Sequence, residues 1–259
     1  MTDEVGHGLK SLDTALGVLA FMARQDGPLT LSDIARGCDM PPSKVHRYLA
    51  SFVTARLVRQ EGRSGRYDLG PEALQLGLAA IGRHDFVNSS ADGLPDLAAQ
   101  TGMTALLAVW ANDGATVVRW QRGLSPTVTS IGLGTTLPLL TSATGRIFLT
   151  YAPQAAIRRM REAELRRAAR QTALLPDVPA TSSGLETLRD TIRAQGFASV
   201  DSNFIPGLVA AAAPVLDWQG EAQAVVTIFG VDPATITPDS PQVRALLDYC
   251  AACSVVRAA

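Results

Sequence analysis

Histidine is scarce in this chain of 259 residues: there are three, His7, His46 and His84, and none lies beyond residue 84. A Ser-His-Asp or Cys-His nucleophile therefore has no base in the larger part of the sequence, and a histidine-containing zinc site is excluded there for the same reason. A serine- or threonine-based hydrolase, with Ser142 or Ser183 as nucleophile, is the rival that this shortage argues against. No Walker loop and no G-x-G-x-x-G run occurs, so the familiar phosphate cradles are missing too. Cysteine is as sparse. Cys38, Cys250 and Cys253 do not make a disulfide framework at this size. Cys250 and Cys253 form C-x-x-C, yet without a second ligand pair they read as two small apolar residues one turn apart on a terminal helix. No metal and no cofactor is expected. No apolar stretch is long enough to span a bilayer, and the acidic opening MTDEVGHGLK lacks the apolar core of a signal peptide, so the expected location is the cytoplasm, away from membranes. The formal net charge is −1, so no global basicity advertises a nucleic-acid partner.

Positive charge is nevertheless gathered in one place. From Lys44 to Arg66 there are six basic residues (Lys44, Arg47, Arg56, Arg59, Arg63, Arg66) against one acid, Glu61. The stretch begins inside TLSDIARGCDMPPSKVHRYL, residues 30–49, which reads as a helix-turn-helix. Leu31, Ile34 and Ala35 share a helical face, and Thr30 with Asp33 makes a helix-start pattern. Gly37 should end that helix. Pro41 and Pro42, with φ near the helical value and no N–H to lose, suit the opening of the next. In the second helix Val45, Leu49 and Phe52 must face the core, which leaves Ser43, Lys44, His46 and Arg47 outside, where a recognition helix meets DNA. Residues 57–59 and 67–69 then alternate around a turn with Gly62, Ser64 and Gly65: a hairpin wing whose tip is flanked by Arg63 and Arg66. Ahead of all this, Ser11 to Arg24 reads as a helix with Leu12, Leu16, Leu19 and Ala23 on one side. Phe21 and Met22 widen that stripe beyond what a small core needs, which suggests either a partner surface or extra packing under the wing.

These features resemble the isocitrate-lyase-regulator (IclR) family of bacterial transcription factors. The likeness rests on MPPSKVHRYL at 40–49 and RLVRQEGRSGRYDLG at 56–70, then on LPDLAAQTGMTALLAV at 94–109, LPLLTSATGRIFL at 137–149, GFASVD at 196–201 and GLVAAAAPVLDWQG at 207–220. It implies a winged helix-turn-helix over residues 1–70, a linker helix over 71–87 and a GAF-like effector-binding domain over 88–259, an α+β fold with an antiparallel sheet. It implies a DNA-binding regulator and not an enzyme. The partners expected are a double-stranded DNA operator, a small-molecule effector and further copies of the chain, as a homodimer or a tetramer. A repressor is the expected mode, and the alternative to regulation is a ligand sensor or interaction module that no longer binds DNA. In the recognition helix the family usually has lysine in place of Pro42 and threonine in place of Lys44, so the operator cannot be copied from relatives.

The order of the remaining elements agrees with that fold. Helices are expected over 72–82, 94–100, 144–151, 185–195 and 241–255, and strands over 103–110, 116–121, 209–215 and 222–230. The arginine-rich run 158–170 reads as a mostly solvated helix, its acids Glu162 and Glu164 interleaved. Resemblance places the effector among Met103, Thr104, Trp120, Thr141, Ser142, Ala143, Thr144, Val200, Ala210, Thr227 and Phe229. The loop 141–145 has a physical rationale of its own, since it leads into a helix whose first N–H groups can receive a carboxylate; Thr141 and Ser142 acting only as caps would use the same atoms. Relatives that bind small polar acids carry an aspartate, a cysteine and two serines where an ungapped alignment puts Val200, Ala210, Thr227 and Phe229. Each polar group lost makes burial of apolar ligand surface easier, so the expected effector is larger and less polar, an aromatic acid or derivative from a catabolic pathway.

Overall fold

A computed structural model describes residues 9–255 apart from 63, 112–113 and 125–129. The chain divides into two compact units, one ending at His84 and the other starting at Asp85.

The first unit opens with α1 (Lys10–Ala23), followed by α2 (Leu31–Gly37) and α3 (Pro42–Thr54), then β1 (Val58–Gln60), β2 (Tyr67–Leu69) and α4 (Pro71–Arg83). Each boundary has a local cause. Thr30 caps α2, its hydroxyl accepting from the Asp33 N–H at 3.2 Å and donating to the Asp33 carboxylate at 2.6 Å. That hydrogen bond holds Asp33 below the usual carboxylate range. Pro42 is the first residue of α3, where its missing N–H costs nothing. The core is Ala15, Val18, Met22, Ile34, Ala35, Val45, Leu49, Phe52, Val58 and Tyr67. This decides between the two readings of α1. Met22 and Phe21 are spent inside the unit, Phe21 against Gly37, whereas Leu12 and Leu16 are 52% and 49% exposed. The surplus apolar stripe is therefore Leu9, Leu12 and Leu16, and α4 adds exposed Leu74, Leu76 and Leu78.

The second unit continues with α5 (Phe86–Asp92), α6 (Leu94–Thr101), β3 (Thr104–Ala111), β4 (Gly114–Gln121), β5 (Thr136–Leu137), α7 (Ala143–Tyr151), α8 (Gln154–Arg170), α9 (Ser182–Gln195), β6 (Ala198–Asp201), β7 (Val209–Leu216), β8 (Ala222–Gly230) and α10 (Pro241–Cys253). Among the described residues the strands form one antiparallel sheet in the order β5-β4-β3-β8-β7-β6. Side chains alternate across a strand, so each face gathers its own core. Leu106, Ala108, Val200, Ala210, Ala212 and Phe229 join α7 and α9 residues on one face. Ala105, Leu107, Val209, Ala211, Val226 and Ile228 join α6 and α10 residues on the other. Helices thus cover both faces of the sheet. β5, β6 and α5 are too short or too polar for periodicity to show them. No helix among the described residues is long and apolar enough to cross a membrane.

Candidate functional site

The DNA side begins with α3. Burial of Val45, Leu49 and Phe52 turns Ser43, Lys44, His46 and Arg47 to solvent, and all four are exposed. The nearby cations differ in how far they are already engaged. Arg59 pairs with Asp68 across the wing at 2.7 Å, Arg56 approaches Glu72 at 3.8 Å, and Arg66 donates to the Pro28 carbonyl at 3.3 Å. Asp68 and Glu72 lie outside the 44–66 window, so the local surplus is smaller than a count within that window implies. Lys44 lies 6.0 Å from the centre of the Tyr48 ring, and neither it nor Arg47 has an ion-pair partner among the described residues. The recognition helix thus carries unpaired positive charge, and on the wing Arg66, bonded to a carbonyl, keeps its charge as well. Arg63 lies outside the described residues.

In the second unit a cavity opens between the sheet and the start of α7. It is lined by Leu106, Ile131, Leu137, Ser142, Ala143, Thr144, Val200, Phe204, Ile205, Leu208, Ala210, Thr227 and Phe229, with a volume of about 30 Å³. Seven of the expected effector residues meet here: Ser142, Ala143, Thr144, Val200, Ala210, Thr227 and Phe229. Four do not. Met103 points to the opposite face of the sheet, because it is one residue out of step with Thr104 and Leu106, and it packs with Leu94 and Leu97. Thr104 is on the correct face but past the cavity, where its hydroxyl accepts from the Gly123 N–H at 3.2 Å; with Met103 it lines a separate hollow at the end of β3 and β8. Trp120 stands behind the wall, its ring 5.2 Å from that of Phe229, as Trp110 stands 5.5 Å from Phe148. Thr141 lines a third hollow beyond Leu137.

The polar groups of the cavity are nearly all spent. Ser142 caps α7: its hydroxyl accepts from the Gly145 N–H at 2.9 Å and donates to the Pro138 carbonyl at 2.6 Å. Thr144 and Thr227, 1% and 3% exposed, bond each other through their hydroxyls at 2.7 Å. The rest of the lining is hydrocarbon, and at the helix start Ala143 and Thr144 carry N–H groups that no turn of α7 can satisfy.

Sequence reasoning missed the frame that holds this loop. Glu164 of α8 receives the N–H groups of Leu139 and Leu140 at 2.8 and 2.9 Å, and its burial raises its pKa. Arg146, 2% exposed, donates to the Leu140 carbonyl at 2.8 Å and grips both oxygens of Asp177 at 2.6 and 2.8 Å. The one available signal was an arginine set among Ile147, Phe148 and Leu149 on an otherwise apolar helix. Ser183, the other serine considered as a nucleophile, is exposed in the first turn of α9, bonded to Thr181 at 3.1 Å. Among the described residues no cluster of His, Cys, Asp and Glu could hold a metal.

Residues 11–62 match the model of the IclR helix-turn-helix domain, and residues 78–253 match that of the bacterial transcriptional regulator IclR C-terminal domain. The chain belongs to the IclR family. It is accordingly a DNA-binding transcriptional regulator under effector control. An IclR-family fold is also what structure comparison finds: Pseudomonas aeruginosa HmgR superposes with a TM-score of 0.82 at 32% identity, over 95% of this chain and 97% of that one. Among curated relatives, the HTH-type transcriptional regulator BhcR of Paracoccus denitrificans is 32% identical over 88% of this chain and 79% of its own length. The HTH-type transcriptional repressor AllR of Klebsiella pneumoniae is 27% identical over 90% of this chain and 83% of its own.

Proposed function

We propose that this IclR-family regulator is a cytoplasmic, non-enzymatic repressor, acting as a homodimer or a dimer of dimers, that answers to an apolar organic acid, an aromatic acid or a derivative of one. One observation carries the effector class. The hydroxyls lining the inner cavity are largely engaged, Ser142 as donor and acceptor and Thr144 with Thr227 through one of their two protons, so a small polar acid would find one anion site and a single hydroxyl donor to orient it. A ring gains from the hydrocarbon walls at about 25 cal/mol per Å² buried, while its carboxylate takes the N–H groups of Ala143 and Thr144.

On DNA, Lys44 and Arg47, with Arg63 and Arg66 from the wing, anchor phosphates, and Ser43 and His46 offer base-edge contacts. Two such helices in one dimer reach successive major grooves about 34 Å apart. Exposed Leu12, Leu16, Leu74, Leu76 and Leu78 supply apolar surface for pairing. The test has two arms: a gel shift with the upstream region of its own gene, and calorimetric titration with hydroxybenzoates against glyoxylate and pyruvate. Release of the operator by hydroxybenzoates alone supports the reading. Tight binding of glyoxylate or pyruvate, with hydroxybenzoates inert, sinks the effector class. Failure to shift any operator favours the ligand sensor that has lost DNA.

A further inference from the structure

The inner cavity, at about 30 Å³, holds little more than a water, whereas an apolar cavity that admits benzene is nearer 150 Å³. Something must move before an aromatic ring can enter. Its roof is one loop. β6 and β7 pair as far as Asp201 and Val209, and residues 202–208 between them put Phe204, Ile205 and Leu208 over the space. Phe204 and Leu137 are also walls of a larger hollow of about 340 Å³, lined further by Thr141, Glu164, Arg167 and Asn203. These two side chains are shared by both spaces, so moving Phe204 outward joins them and frees room for a ring.

The loop is constructed to move as a piece. Ser202 and Gly207 both have left-handed backbone, with φ of 58° and 76°, which turns the chain sharply at either end. Its internal bonds fold it on itself: the Ser202 N–H donates to the Leu208 carbonyl at 3.0 Å, Leu208 to Ile205 at 3.0 Å, and Gly207 to the Ser202 hydroxyl at 3.2 Å. What ties it to the frame is Asn203. Its side chain stands near Asp177 and helps hold that carboxyl below its usual range; Arg146 grips the same carboxylate with both terminal nitrogens and is fixed in turn by the carbonyls of Leu140 and Ser199.

We propose that residues 202–208 are a lid over the effector cavity, with Phe204 as the gate from the outer hollow and the Asn203–Asp177–Arg146 chain as the latch. Ligand enters from the outer hollow, between Arg167 and Glu164, and passes once the gate yields. This rests on the inner cavity being the effector site, and the test separates the two claims. In the full chain, hydrogen exchange is compared between wild type and Asn203→Ala. Exchange in peptides covering 202–208 should rise about tenfold, with peptides covering β7 and β8 unchanged. In parallel, stopped-flow tryptophan fluorescence follows binding of 4-hydroxybenzoate, with Trp120 against the Phe229 wall as reporter. Asn203→Ala and Phe204→Ala should each speed association and dissociation several-fold and alter Kd less than either rate; Phe204→Leu serves if the alanine variant is unstable. Unchanged exchange in 202–208, or exchange rising equally through the sheet, overturns the lid. So do variant rates equal to those of a wild type that binds the probe. If 4-hydroxybenzoate does not bind wild type, the aromatic reading fails, and the exchange result alone decides the lid.

Discussion

Replacing Thr227 by valine keeps its shape and removes one oxygen. The Thr144 hydroxyl is then left facing a hydrocarbon wall at 1% exposure, its 2.7 Å partner gone. A buried polar group stripped of its partner costs about 1–3 kcal/mol, whereas removing both members of a pair is close to neutral. The cavity lined by Leu106, Ala210 and Phe229 around this pair has room for about one water, which would offset part of the penalty, so the single variant should lose about 1 kcal/mol, the low end of that range. For a unit of this size that lowers Tm by about 2–4 °C. The double variant, Thr144→Val with Thr227→Val, should regain most of the loss. Calorimetry on the four proteins of the cycle gives a coupling of about 1–2 kcal/mol if the hydroxyls depend on each other. Binding of an aromatic acid should survive in the double variant, since neither oxygen is assigned to the ligand. Additive losses would show that each hydroxyl has another partner, and loss of aromatic binding in the double variant would refute the claim that the cavity's polar groups are spent.

Arg47→Ala should weaken operator binding and reduce the slope of log K against log salt by about 0.9 if one phosphate contact is lost; a gel-shift series from low to high salt measures it. Gly145→Ala should destabilise the second unit by several degrees in a thermal melt. The added Cβ would overlap the Pro138 carbonyl oxygen and come within 2.6 Å of the Leu139 Cα, so backbone must shift. Acid should act through Asp177. Burial raises its pKa, but the hydrogen bond and charge of Arg146 outweigh that and leave it below the usual carboxylate range. A carboxyl depressed on folding stabilises at neutral pH, and its contribution fades as pH falls below about 4; wild type should therefore lose Tm more steeply than Asp177→Asn in that window. Glu164, raised by burial, runs the other way, its contribution being greatest in acid and lost as pH rises above its folded value.

What could be read from the residues tracks how local the cause is. The turn from α2 to α3 was legible because Thr30, Gly37 and Pro42 act on their own backbones and three apolar residues per helix mark a face. Strands β3, β4, β7 and β8 were legible as apolar runs, but alternation alone could not say which face looked onto a cavity. Met103, placed near the effector by resemblance, packs on the other face of the sheet. β5 has two residues and β6 four, too few for a period, and they are strands because longer neighbours hold them. Arg146 and Asp177 lie 31 residues apart and Glu164 lies 24 from Leu140, so those bonds exist only once the chain has folded. The same distance in sequence hid Phe204, whose role depends on two spaces that share its ring.

The seam between α7 and the 138–141 loop has no slack, as Gly145 against Pro138 shows, while Val200, Ala210, Thr227 and Phe229 enter the cavity from strands whose ladders ignore side-chain identity. Chassis and upholstery are thus separable. A library randomised at Val200, Ala210 and Phe229, with Thr227 kept for its bond to Thr144, should yield sensors for altered compounds on an intact scaffold, whereas changes at the seam should yield no sensor at all.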